Sequence, residues 1–379
     1  MPEEPLPVAV IGVGGVGRWT LQALLAGETA RVVGIADKDP RIAERTGTGL
    51  KVPFYGDNRS LLAETRPAAV FLAVPPMAAP DTLAACAERG IHVWKEMPLA
   101  RDLAEGLAFV TRMEDAGLKL AVGTQRRFAV GYRRAWELRG RLGRVFLGRA
   151  HYLFNWGPQL TWRGDRASAG GGALLELGYH TIDLMVWMLG LPEEAYGISA
   201  RGNRPGDVGP DGADLPLYDT DDTAAVILRH TDGGMATVVT TRSSGPVSEE
   251  LSLHGRGGSL TATGESCLLR DPEGTVVDRV ATDEAPLAVF RRQAEAFVEA
   301  VRGDAKRYSC SARENLLNMA VLEAAYLSDR TGQAENPLSL LKNHSLEAED
   351  CLTLRPLETP DEGERPAEAP PAAPPESSP

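Results

Sequence analysis

In the first third of the chain, apolar positions come in short unbroken runs, each followed by a stretch with helical spacing. Val8–Ile11 and Ala69–Val74 are such runs; Ile91–Trp94 and Lys119–Val122, each with one polar residue, are read as further strands. Continuous apolar runs of this length read as strands buried on both faces, and their alternation with helices predicts a doubly wound parallel sheet. Helices are expected over Asp81–Arg89, stopped by Gly90, and over Asp102–Ala116, closed by Gly117. Past about residue 130 the pattern changes. A long strand is expected over Val145–Phe154 and a strongly apolar helix over Ala173–Leu189. From Tyr196 to about Val280, short strands separated by turn residues predict a mainly antiparallel sheet. Two helices, Leu287–Arg302 and Ala312–Ser328, close the globular part.

These patterns divide the chain into a nucleotide-binding domain over 1–123, a second α/β domain over 124–345, and a proline- and acid-rich tail over 346–379 expected to be disordered. The net charge of −12 argues against a nucleic-acid partner. Cys86, Cys267, Cys310 and Cys351 are scattered without a C-x-x-C, which points to reduced thiols rather than a zinc site or a disulfide framework. The N-terminus lacks a basic-then-apolar signal, and no apolar run approaches a membrane span, so a cytoplasmic protein is expected.

The candidate chemistry begins at the first strand. Gly12, Gly14 and Gly17 follow it with the spacing G-x-G-x-x-G, with Gly15 and Val16 between them, and a helical pattern follows. Glycines at those places permit a sharp turn, backbone contact with a pyrophosphate, and close packing of helix on strand. The second strand ends in Asp37, placed to accept hydrogen bonds from a ribose diol. That favours NAD, although the adjacent Lys38 leaves NADP open. Ligands of open α/β sheets lie beyond the carboxyl ends of the strands. Ala73-Val74-Pro75, Lys95-Glu96-Met97 and Gln125-Arg126 are therefore the candidate lining of the cofactor and substrate site.

In the second half, Glu176, His180 and Asp183 are spaced i, i+4, i+7, so one helical face carries all three. An imidazole between carboxylates is suited to take a proton from a hydroxyl as hydride leaves the same carbon. The competing readings are polar groups satisfied where an apolar helix docks, and a metal site, for which no further His/Cys cluster completes a shell. The loop Asn155–Arg166, with Trp156, Trp162, Arg163 and Asp165, suits stacking on a ring and hydrogen bonding to hydroxyls.

The Gly12 fingerprint, the stretch His92–Ala100 and GGGALLELGYHTID over 170–183 together resemble the glucose–fructose oxidoreductase / inositol dehydrogenase (Gfo/Idh/MocA) family. The resemblance implies an N-terminal Rossmann domain and a C-terminal α/β domain whose open sheet is often an oligomer contact, so a homo-oligomer is expected. It also implies hydride transfer between NAD(P) and a hydroxyl of a sugar, inositol or related polyol. By the same resemblance, His180 is the catalytic base, Glu176 its orienter or a substrate contact, and Trp162 and Arg163 approach the cofactor. Tyr179, Asp183, Arg126 and Met97 are expected to border the substrate. The sequence departs from the family where Glu-Lys-Pro is expected, because Met97 replaces the lysine. Lys95 lies two positions earlier, about 6.6 Å away on the same strand face, and is the candidate replacement; a cofactor-side or solvent-facing cation is its other reading. The departure leaves open a nucleotide-binding protein without turnover, or glycosidase-type chemistry with retained NAD.

Overall fold

The structure, a computed structural model, describes residues 4–352 except 158–159, 203–206, 209–211, 213, 215–216 and 304–307. Its first sheet has six parallel strands: β1 (Leu6–Ile11), β2 (Ala30–Ala36), β3 (Phe54–Tyr55), β4 (Ala69–Leu72), β5 (His92–Lys95) and β6 (Leu120–Val122). They lie in the order β3-β2-β1-β4-β5-β6, so the order reverses beside β1 and opens a crevice there. The central runs are apolar because both faces are covered: Val8, Ala9 and Val10 have no exposed surface, and neither do the four residues of β4.

One face of this sheet is covered by the helix Gly15–Ala26 together with Pro286–Arg302, a helix from far along the chain. Leu21 and Leu24 share a core with Phe71, Trp94 and Phe297, and the Phe71 and Phe297 rings meet edge to face at 5.6 Å. A helix that the sequence reading places in the second domain thus closes the first.

The second sheet comprises β7 (Val145–Asn155), β8 (Glu194–Ala200), β9 (Thr223–Arg229), β10 (Met235–Thr241), β11 (Ser243–Gly255), β12 (Gly258–Ala262), β13 (Ser266–Arg270) and β14 (Val276–Ala281). Its order is β14-β13-β12-β11-β7-β10-β9-β8, antiparallel except where β7 and β10 run together. The long helices Ala173–Leu189 and Ala312–Thr331 pack against it, and almost every residue of the first is buried. On the other side Tyr196, Ile198, Ile227, Met235 and Val239 stand exposed.

The chain beyond residue 345, expected to be tail, remains packed as far as Leu352. Leu346 and Cys351 are buried and Ala348–Cys351 forms a helical turn, so these few apolar residues anchor a stretch whose composition alone suggested none. The rest of that expectation, 353–379, lies outside the described residues. No helix among the described residues is long and apolar enough to cross a membrane.

Candidate active site

The glycine loop has the shape its spacing predicts. Gly12 sits at φ 83°, and a Cβ there would lie 2.2 Å from the Ala73 carbonyl oxygen; one on Gly17 would lie 1.9 Å from the Gly12 oxygen. Gly14 differs, because a Cβ built on it meets nothing within 4 Å. The helix behind it begins without a side-chain cap, so its first N–H groups face that open space. Asp37 holds the rim: its Oδ2 accepts from Val13 N–H at 2.9 Å and its Oδ1 from Asp39 N–H at 3.0 Å. The carboxylate is fixed and keeps lone pairs for a ligand. Lys38, beside it, is exposed. Ala73, Val74 and Pro75 run alongside, tied to β1 by the bond from Ala73 N–H to the Ile11 carbonyl at 2.8 Å.

Lys95 does not reach the cleft. It is 1% exposed, and its Nζ donates to the carbonyl oxygens of Glu96 at 3.0 Å and Pro98 at 2.6 Å. Burial lowers it to about 8, against the pull of Glu96 and Glu105. It braces the loop after β5 from behind and is neither the solvent-facing cation nor the replacement base considered from the sequence. Met97 is half-buried against the core. Glu96 folds over Gly123 with its Oε2 buried and unpartnered, and burial pushes it up to about 8. Gln125 Oε1 and Thr124 Oγ1, at the end of β6, are also buried without partners. Orphaned polar atoms at adjacent strand ends call for a polar ligand. Together with the open approach to the Gly14 backbone, these residues fit the polar groups of a dinucleotide, which Gly14 and the ends of β5 and β6 would hold.

The central helix, Ala173–Leu189, supplies the opposite wall, and the structure separates the residues the spacing had grouped. Glu176 pairs with Nε of Arg163, both side chains being mostly buried. Burial raises the Glu176 carboxyl, and Arg163 pulls it back. His180 is 7% exposed, and its Nδ1 is buried without a partner. Among the described residues, no carboxylate forms a hydrogen bond or ion pair with it. Its ring lies 5.9 Å from that of Tyr152, and burial with the nearby Arg126 guanidinium holds it well below the usual imidazole range. It is therefore a neutral imidazole at physiological pH.

Asp183 and Tyr179, expected at the substrate, are structural. Asp183 is fully buried and accepts from Arg127 Nε at 2.9 Å, Arg127 Nη2 at 2.6 Å and Asn318 Nδ2 at 2.7 Å. Tyr179, also fully buried, donates to Asn315 Oδ1 at 2.8 Å. Asp183 lies two turns beyond Glu176 on the same helical face, where its partners come from Arg127 and from the helix Ala312–Thr331.

Arg126 does reach the site. Its Nε donates to Glu249 at 2.6 Å and its guanidinium lies 5.2 Å from the centre of the Tyr152 ring. Tyr152 and Glu249 were missed from the sequence. They are directly opposite one another across β7 and β11, a register that no local pattern discloses. Arg163 lies between two indoles, 4.1 Å from the centre of the Trp156 ring and 4.3 Å from that of Trp162.

A parallel sheet in this strand order, an open glycine turn, and a histidine brought over the strand ends by a second α/β domain define a dinucleotide-binding oxidoreductase of two domains. Residues 6–124 match the model of an oxidoreductase family with an NAD-binding Rossmann fold, and residues 133–261 match the C-terminal domain of that GFO/IDH/MocA family. The chain belongs to this family. It is 28% identical over 261 residues to a levoglucosan dehydrogenase of Pseudarthrobacter phenanthrenivorans, covering 63% of this chain and 62% of that protein. It is 25% identical to a D-xylose 1-dehydrogenase (NADP(+)) of Haloferax volcanii, over 86% of this chain and 98% of the relative. The fold is shared with a levoglucosan dehydrogenase solved with NADH and levoglucosan, at a TM-score of 0.78 and 21% identity, over 88% of this chain and 99% of that one.

Proposed function

We propose that this chain transfers hydride between NAD and a carbon bearing a hydroxyl on a sugar or related polyol, with His180 as the base. The observation that carries this reading is a desolvated, neutral imidazole near Arg126, in the segment that follows β6 of the nucleotide-binding sheet. The nicotinamide, when bound, supplies the hydride acceptor. A neutral imidazole takes the hydroxyl proton, and Glu176, one turn earlier on the helix, orients the substrate by accepting a hydrogen bond from a neighbouring hydroxyl. Arg126 and the Tyr152 ring bound the substrate from the β7 side. Gly12, Gly14, Gly15, Val16, Gly17 and Asp37 hold the dinucleotide; Ala73, Val74, Pro75, Glu96, Met97 and Gln125 border it. Asp37 favours NAD, and the exposed Lys38 is the residue through which a 2′-phosphate would be accepted.

The partner is a small carbohydrate, and the protein works in the cytoplasm as a homo-oligomer. The exposed apolar side chains on the outer face of the second sheet support self-association. The enzyme reading is tested by incubating the protein with NAD or NADP and a panel of sugars and polyols, and following formation of the reduced cofactor. Turnover abolished by His180→Ala is expected. Cofactor binding with no turnover on any sugar would point to a sensor, and release of an aglycone without net reduced cofactor to glycosidase-type chemistry.

A further inference from the structure

Arg163 is held more firmly than a residue in a surface turn needs to be. Its carbonyl oxygen accepts from Thr220 Oγ1 at 2.7 Å and from Arg242 Nη1 at 3.2 Å. Its guanidinium is flanked by Trp156 and Trp162, and its Nε is committed to Glu176. Two other cations on this side of the molecule are committed elsewhere. Lys95 faces the carbonyls behind β5, Arg126 is paired with Glu249, and Met97 carries no charge.

The groups facing Glu176 come from several elements. Arg163 comes from the turn Thr161–Gly164, Arg242 from the link between β10 and β11, Tyr152 from β7, and Asp221 from the segment before β9; His180 is on its own helix. Asp221 is occupied, accepting from the N–H groups of Gly172 and Leu174 at 2.9 and 2.8 Å and from the Tyr326 hydroxyl at 2.7 Å. Among the described residues, only Arg163 forms an ion pair with Glu176.

We propose that Arg163 is the positioning residue of this site: held against two indoles, it keeps Glu176 a carboxylate, in one rotamer, one turn before His180 on the helix. This rests on the oxidoreductase reading for its consequence and on the ion pair for its existence. A carboxylate buried beside an aliphatic or absent neighbour would hold its proton to higher pH and become a weaker, uncharged acceptor for a substrate hydroxyl. An opposite charge in direct contact is worth about one to three pH units on such a group.

The test separates the two dependencies. Glutamate labelled with carbon-13 at the side-chain carboxyl is titrated by NMR in the intact protein without substrate, with Glu176→Gln identifying the resonance. Arg163→Met is expected to move the Glu176 midpoint up by about one unit or more, and Arg163→Lys to restore most of it. In turnover, the acid limb of the kcat/KM profile should move up with it, while NADH affinity changes less than about threefold, an amount close to measurement error on the scale where tenfold is a full increment. A Glu176 midpoint that stays put in Arg163→Met overturns the proposal whether or not the enzyme turns over. So does a loss of NADH affinity that accounts for the whole kinetic defect, since Arg163 would then act on the cofactor. Absence of turnover in the wild-type protein with the NMR shift intact would count against the oxidoreductase reading alone.

Discussion

The guanidinium of Arg127 holds both carboxylate oxygens of Asp183, at 2.9 and 2.6 Å, and its third nitrogen reaches Glu314 at 2.7 Å. All three side chains are at most 6% exposed. The arginine follows β6, the aspartate lies on the central helix and the glutamate on the helix Ala312–Thr331, so one buried cluster fixes three elements that meet behind the cleft. Breaking a buried pair by removing one partner leaves a charge without compensation.

Asp183→Ala is therefore expected to cost about 3–5 kcal/mol of stability. Urea unfolding followed by circular dichroism measures it. A substrate contact would instead raise KM and leave the unfolding midpoint in place.

Gly14→Ala and Gly17→Ala should separate binding from folding. A methyl on Gly14 enters open space, so the melting temperature should hold while NADH affinity falls about tenfold or more through lost backbone contact. A methyl on Gly17 meets the Gly12 carbonyl at 1.9 Å and should lower the melting temperature outright. Fluorescence titration with NADH beside thermal melts distinguishes the two.

The buried imidazole gives the fold an acid sensitivity. The folded pKa of His180 lies well below the unfolded value of 6.5, so the unfolded chain binds the extra proton first. Stability is then lost as pH falls below 6.5 and continues to fall until the folded pKa is reached. His180→Gln should remove that part of the slope while abolishing turnover, as read from urea midpoints at about pH 7.5 and pH 5.5.

Ile198→Glu with Ile227→Glu should keep the fold and prevent self-association. Both side chains project from the outer face of the second sheet, 59% and 49% exposed. Light scattering coupled to size exclusion gives the mass directly. An unchanged mass would remove that face from any subunit contact.

Much of the fold was legible because the signals were local. The run Val8–Ile11, the three glycines and Asp37 are contiguous, and each has a backbone or burial reason that a reader of one chain can supply. The wall opposite the glycine loop was legible only in part. Spacing put Glu176, His180 and Asp183 on one face, but where that face points depends on how the helix crosses its sheet, and the third residue turned out to face Arg127. Tyr152 and Glu249 were out of reach because the register of β7 on β11 is settled between strands that several helices and strands separate in the chain. Lys95 misled for a related reason: its strand neighbours share a face, but the turn at Met97-Pro98 breaks that alternation and brings its ammonium under two carbonyls.

The helix Pro286–Arg302 covers Phe71 and Trp94 from the far end of the polypeptide, next to the helix that starts at the glycine turn. A fragment cut at residue 123 would therefore bare an aromatic slab and should aggregate, whereas one that retains this helix by circular permutation has what it needs to fold. The same strap ties the two halves at a second place besides the crossing after β6. Any gaping of the crevice to admit nucleotide must then come from loops and side chains, since a clamshell swing would tear an apolar seam.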